Sequence, residues 1–218
     1  MTVDDGAVPS AEQATVFVVD DDAGLRRAVA RVIQSAGLAA ETFGSADEFL
    51  RRLPYPGIGC VVLDVQMPGM SGVELQGLMA SMDLDLPIVF LTAHGDVPTA
   101  TQAMRKGATD FLQKPVDDEV LLATLRDSIE RHRSQQVDRR RRQDAATRLE
   151  RLSPRETEVL QFVVRGLLNK QIADCMGIAL KTVKVHRAHV MEKLEVDSVA
   201  ALVQLCVAAG VLDPRQDR

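Results

Sequence analysis

Apolar positions in the first 126 residues fall into two alternating rhythms. Short unbroken runs such as Thr15-Val16-Phe17-Val18-Val19 and Ile58-Gly59-Cys60-Val61-Val62-Leu63 are rich in β-branched residues. They read as strands buried on both faces. Between them, Leu25, Ala28, Val29, Val32, Ile33 and Ala36 recur at helical spacing, and Gly37 stands where a C-cap belongs. The run Leu86-Pro87-Ile88-Val89-Phe90-Leu91 carries its proline at the start, where a strand tolerates a missing donor. The same reading predicts strands at 38–42 and 109–112, and helices at 46–53, 72–82, 96–105 and from about 117. Strict alternation of five strands and five helices implies an α/β fold, a doubly wound five-stranded parallel sheet with helices on both faces.

From 126 to 151 apolar residues thin out, and Arg139-Arg140-Arg141-Arg142 sits in the middle. This stretch reads as a linker, helical or flexible, with a solvated charged face. From Leu152 onward the rhythm is helical throughout. Ser153 is a good N-cap and Pro154 suits the first helical position. Helices are predicted at 154–165, 170–176, 181–194 and 198–208, with Gly166 and Gly177 as breaks. The chain therefore divides into an α/β domain at 14–126, a linker at 127–151 and a small all-α domain at 152–212.

Charge follows this division. Residues 1–126 hold eighteen acids against nine bases, and residues 127–218 hold thirteen acids against seventeen bases. The basic back half suits nucleic acid, although a charge this modest is a weak signal alone. Cys60, Cys175 and Cys206 are scattered and lack metal-ligand spacing, so they read as small hydrophobes in a reducing cytoplasm. The longest apolar segment, 199–212, is too short and too interrupted to span a membrane. The acidic start of the chain does not resemble a signal peptide.

The candidate chemistry lies at strand ends. Asp64 closes one buried run, and Asp20-Asp21-Asp22 closes another. Open α/β sheets bind ligands at the carboxyl ends of their strands. Carboxylates gathered there repel one another, and a hard cation with oxygen ligands relieves that repulsion. Mg²⁺ is the expected ion. Asp22 is expected to cap the first helix rather than bind metal.

The pieces Val19-Asp20-Asp21-Asp22, Leu63-Asp64-Val65-Gln66-Met67-Pro68-Gly69-Met70-Ser71-Gly72, Leu91-Thr92-Ala93-His94 and Lys114-Pro115 occur in this order at successive strand ends. Together they resemble the receiver domain of two-component response regulators, which has a flavodoxin-like sheet. The resemblance implies that Asp64 is the phosphoacceptor, a carboxylate nucleophile toward phosphorus. Asp20, Asp21, Asp64 and the backbone carbonyl of Gln66 would hold Mg²⁺. Lys114 would meet the phosphoryl group as a point charge, and Thr92 would donate a hydrogen bond to it. The resemblance also implies a cis Lys114–Pro115 bond, and a switch in which Thr92 moves and Phe111 rotates inward. Taken alone, Phe111 reads as a core residue.

The back half carries Leu152-Ser153-Pro154-Arg155-Glu156-Thr157-Glu158-Val159-Leu160, Gly166-Leu167-Leu168-Asn169-Lys170-Gln171-Ile172-Ala173 and Lys181-Thr182-Val183-Lys184-Val185-His186-Arg187. These are similar to the LuxR-type helix-turn-helix of the NarL/FixJ class, and the order looks closest to FixJ-like proteins. Helical geometry puts Val183, Val190 and Leu194 on one inward face. Lys181, Lys184, Val185, Ala188 and Glu192 then face a major groove. Lys184 suits guanine acceptors, and Val185 suits a thymine methyl. Lys170, Thr182, His186 and Arg187 are phosphate candidates. Ala179, where the class often has serine, has no side-chain oxygen to cap the recognition helix.

The combined reading is a phosphorylation-controlled transcription regulator in the cytoplasm, not an enzyme. Its expected partners are a sensor histidine kinase, double-stranded DNA, a second copy of the chain on phosphorylation, and RNA polymerase, with no membrane partner. One alternative is an aspartate-nucleophile phosphohydrolase. Such enzymes carry a second Asp two residues after the nucleophile, where this chain has Gln66. Another is a constitutive DNA binder with a vestigial receiver, which the intact set of acids opposes.

Overall fold

The computed structural model describes residues 14–93, 101 and 103–212. Contacts within the chain gather into two compact units, residues 1–136 and 137–218.

The first unit is built on a parallel sheet. Its strands are β1 (Thr15–Val19), β2 (Ala39–Phe43), β3 (Gly59–Leu63), β4 (Ile88–Thr92) and β5 (Asp110–Gln113). Their order across the sheet is β2-β1-β3-β4-β5. The helices are α1 (Ala23–Ser35), α2 (Ala46–Leu50), α3 (Gly72–Ser81) and the long α4 (Asp118–Leu149). Side chains alternate across a strand, so each strand feeds both faces. Phe17, Val61, Leu63 and Phe90 pack with Phe49, Leu75 and Met79 on one face. Val16, Val18, Cys60, Val62, Val89 and Leu91 pack with Val29, Ile33, Leu121 and Leu125 on the other. Burial on both faces explains why the strands read as unbroken apolar runs rather than as alternation.

Observed boundaries lie within a few residues of those expected. Residues 101 and 103–105 are helical, while 94–100 and 102, which include most of the helix expected at 96–105, lie outside the described residues. Gly37 takes a positive φ of 78° just after α1, a conformation that costs glycine no Cβ clash.

The first compact unit extends to residue 136. Ile129 is buried in the same cluster as Leu121 and Leu125. One turn on, His132 is 1% exposed, and its Nδ1 accepts the N–H of Gly59 at 3.1 Å. A stripe of one buried residue per turn is too thin to register as apolar composition, and one member is a polar histidine. The stretch expected as linker is helical to Leu149.

The second unit contains the end of α4 and then α5 (Pro154–Val164), α6 (Asn169–Met176), α7 (Leu180–Lys193) and α8 (Val199–Ala208). Val159, Leu160, Val163, Ile172, Val183, Val190, Leu194, Leu202 and Cys206 form its core. Ser153 caps α5 through the Glu156 amide, and Glu156 Oε2 returns to the Ser153 N–H at 2.8 Å. This reciprocal box satisfies two orphan donors. Gly177, with φ 65°, ends α6 in the left-handed conformation. Among the described residues no helix is long and apolar enough to cross a membrane.

Candidate phosphoryl-transfer site and DNA-reading helix

Strand register assembles the acidic site. Val19 pairs with Leu63, Leu63 with Phe90, and Thr92 with Gln113. The residues that follow therefore emerge side by side at one edge. The Asp64 N–H donates to the Val19 carbonyl at 2.9 Å, and the Lys114 N–H donates to the Thr92 carbonyl at 2.8 Å. In this way Asp20, Asp64, Thr92 and Lys114 come together from four strands.

Asp20 is buried, and both its carboxylate oxygens are engaged. Oδ1 accepts the Asp22 N–H at 2.8 Å, and Oδ2 lies 2.7 Å from Lys114 Nζ. Arg26 donates to the Asp20 backbone carbonyl. The Lys114 ammonium also sits 3.5 Å from Asp64 Oδ2. Asp64 Oδ1 is buried and accepts no hydrogen bond. Burial pushes the Asp64 carboxyl above its ordinary value, Lys114 pulls it down, and the Asp20 charge pushes it up again. Thr92 is buried at the end of β4, and Ala93 after it is exposed at the mouth. The Lys114–Pro115 peptide is cis, as expected.

Asp22 lies outside this group of side chains. Its Oδ1 accepts the N–H groups of Gly24 and Leu25 at 2.7 and 3.1 Å, so it caps α1. Phe111 is half-buried, with its ring centroid 5.9 Å from that of Phe90. His94 lies outside the described residues.

The donor set suits a divalent cation. Carboxylate oxygens of Asp20, Asp21 and Asp64 lie within 4.8 Å of one another. An all-oxygen, acidic cluster would favour hard ions such as Mg²⁺ over softer metals. Gln66 is exposed in the loop immediately after Asp64.

Sequence reasoning passed over the part played by Gly72. That loop folds back so that the Gly72 N–H donates to the Val65 carbonyl at 2.9 Å. A Cβ at position 72 would fall 2.1 Å from the Asp64 carbonyl oxygen. The only advance signal was a glycine eight residues after the acid, which alone reads as a turn.

In the second unit, Val183, Val190 and Leu194 are fully buried, as helical geometry requires. Lys170, Lys181, Thr182, Lys184, Val185, Ala188 and Glu192 are exposed. His186 and Arg187 are half-buried. His186 Nδ1 is enclosed without a hydrogen-bond partner. Arg187 Nη1 donates to Asn169 Oδ1 at 2.8 Å, bracing the start of α6 against α7. Ala179 occupies the N-cap of α7 and makes no side-chain cap bond.

A buried carboxylate, Glu156, links α5 to α7. Glu156 Oε2 takes Lys193 Nζ at 2.6 Å, and Oε1 lies 3.7 Å from His189 Nδ1. The Lys193 hydrogen bond, helped by the Ser153 N–H, holds the Glu156 carboxyl down at about 2. Sequence reading placed Ser153 as a cap, but the long-range Glu156–Lys193 pair left no local trace.

Comparison with known families and structures is consistent along the chain. Residues 16–126 match the response regulator receiver domain, and residues 150–206 match the bacterial regulatory proteins of the luxR family. Nodulation protein W of Bradyrhizobium diazoefficiens is 40% identical over 206 residues, covering 94% of this chain and 91% of that protein. Transcriptional regulatory protein FixJ of the same organism is 41% identical, covering 91% of this chain and 97% of that protein. The solved response regulator StyR superposes with a TM-score of 0.82 at 44% identity, covering 89% of this chain and 98% of that one.

Proposed function

The chain belongs to the two-component response regulators with a receiver and a LuxR-type DNA-binding domain, and from that premise we propose that Asp64 is the residue that accepts the phosphoryl group. The family is one of phosphorylation-controlled transcription factors and not of enzymes. One observation carries the assignment. The Asp64 carboxylate, whose Oδ1 is buried without a hydrogen-bond partner, lies where two further carboxylates and an ammonium converge.

An Asp64 oxygen attacks phosphorus, forming an O–P bond as the P–N bond of a phosphohistidine donor breaks. The sensor histidine kinase supplies that donor. Asp20, Asp21, Asp64 and the Gln66 carbonyl would hold Mg²⁺. Charge on the phosphoryl oxygens would be neutralised by that ion when bound. Lys114 balances Asp20 and Asp64 beforehand and can shift to the arriving oxygens. The Thr92 hydroxyl donates to one of them. That movement makes room for Phe111, repacking the face that surrounds β5.

The phosphorylated chain dimerises, and two copies of α7 enter paired half-sites in the major groove. Lys184 and Val185 read bases, while Lys170, Thr182, His186 and Arg187 engage phosphates. The bound dimer acts on RNA polymerase in the cytoplasm.

The test is labelling by a small phosphodonor with Mg²⁺, followed by sedimentation and DNA binding. Wild type should gain one phosphoryl group, become dimeric and bind its site more tightly. Asp64→Asn should do none of these, and persistent labelling of that variant overturns the assignment.

A further inference from the structure

We propose that Arg140, Arg141 and Arg142 on α4 form a second DNA contact, one that grips backbone phosphates beside the site read by α7. The proposal rests on the DNA-binding reading above.

The three arginines occupy consecutive exposed positions on a continuous helix. Successive residues are about 100° apart around a helix, so no single packed neighbour covers all three. Among the described residues none of the three forms an ion pair. The acid within helical reach on the C-terminal side, Asp144, is taken by Arg148 at 3.0 Å. Three guanidiniums thus stand in solvent with their forks uncommitted. A guanidinium stays charged at all relevant pH and fits phosphate oxygens in a bidentate fashion.

Their placement points to DNA as the source of that phosphate. They belong to the same compact unit as α7. Further along the same helix, Arg148 Nη1 donates to the carbonyl of Leu194, the C-cap of α7, at 3.3 Å. Arg151 pairs with Glu195 at 3.1 Å, and Leu149 packs against the core of the unit. The arginine cluster therefore begins only ~9 Å along the helix from a point fastened to the recognition helix. Residues 127–218 are also the basic part of a chain whose net charge is −5.

The experiment uses the full chain and a mixed-sequence 40-base-pair duplex as probe, with binding followed by anisotropy from about 50 to 200 mM NaCl. The variants replace all three arginines by Gln or by Lys, residues that also favour helix. Each lost phosphate contact removes about 0.9 from the slope of log affinity against log salt. Because the three point in different directions around the helix, one or two meet the backbone at a time, and the Gln variant should lose about one to two from that slope and bind at least about tenfold more weakly at the lower salt. The Lys variant should keep the slope. Equal slopes for wild type and the Gln variant overturn the proposal, as does a Lys variant that loses the slope with the Gln one. If wild type itself binds no DNA, the underlying DNA-binding reading fails instead.

Discussion

Gly72 lies against the carbonyl of Asp64 so closely that a Cβ there would stand 2.1 Å from its oxygen. The helix that follows the Asp64 loop begins at this glycine, so the start of α3 and the position of Asp64 are one structural decision. Real Cβ atoms do not approach a carbonyl oxygen this closely, and the backbone must give.

Gly72→Ala is expected to slow labelling by a small phosphodonor at least tenfold and to cost about 1–3 kcal/mol of stability. Gly77 provides the contrast. It sits within α3, and a Cβ there meets nothing within 4 Å. Gly77→Ala should raise stability by about 0.5–1 kcal/mol and leave labelling unchanged. Chemical denaturation and timed labelling of both variants separate the two outcomes.

The receiver should weaken in mild acid. His132 is held below its ordinary value of 6.5, chiefly because burial disfavours the imidazolium. Asp85 pulls the other way. The His132 Nδ1 accepts the Gly59 N–H, and protonation would set two donors face to face. The folded value is depressed, so the stabilisation is full above 6.5 and is lost as pH falls through the folded value. Thermal unfolding followed from pH 8 to pH 5 should show the receiver transition falling below about 6.5. His132→Asn should flatten that dependence.

The DNA-binding unit should respond at lower pH. Glu156 is held at about 2 against an ordinary 4.5. Its stabilisation is therefore intact above 4.5 and lost as pH falls toward 2. Glu156→Gln removes the charge that Lys193 answers and should cost about 1 kcal/mol at neutral pH. The same substitution should remove the acid-side loss between those two values, as followed by helix circular dichroism.

The uncapped start of α7 should be improvable. Ala179 has φ −66° and ψ 143°, extended backbone suited to an N-cap. Ala179→Ser is expected to stabilise the unit by about 1 kcal/mol, read as a rise in its unfolding midpoint. No gain would mean that the free amides of α7 are already satisfied in another way.

Much of the architecture was legible in the residue pattern, and the reasons are local. A strand covered on both faces must be apolar along its length, so β1, β3 and β4 announced themselves. Ser153-Pro154 and Gly177 marked helix ends because capping and left-handed backbone depend on the residue in place. The acids at 20, 21 and 64 could be assigned to one site because parallel strands deliver their ends to one edge of a sheet. The packing of Ile129 and His132 within the first unit was hidden, since their buried stripe is narrow and partly polar.

Linear order thus determined which residues line the sheet, where helices start, and that carboxylates meet at one edge. It had no means of deciding that Lys114 reaches Asp20 at 2.7 Å and Asp64 at 3.5 Å, that Arg187 braces Asn169, or that Gly72 abuts Asp64. Those pairings join residues that local backbone preferences do not couple. Only packing and strand register bring such atoms within reach of one another, and both come into being when the chain closes on itself.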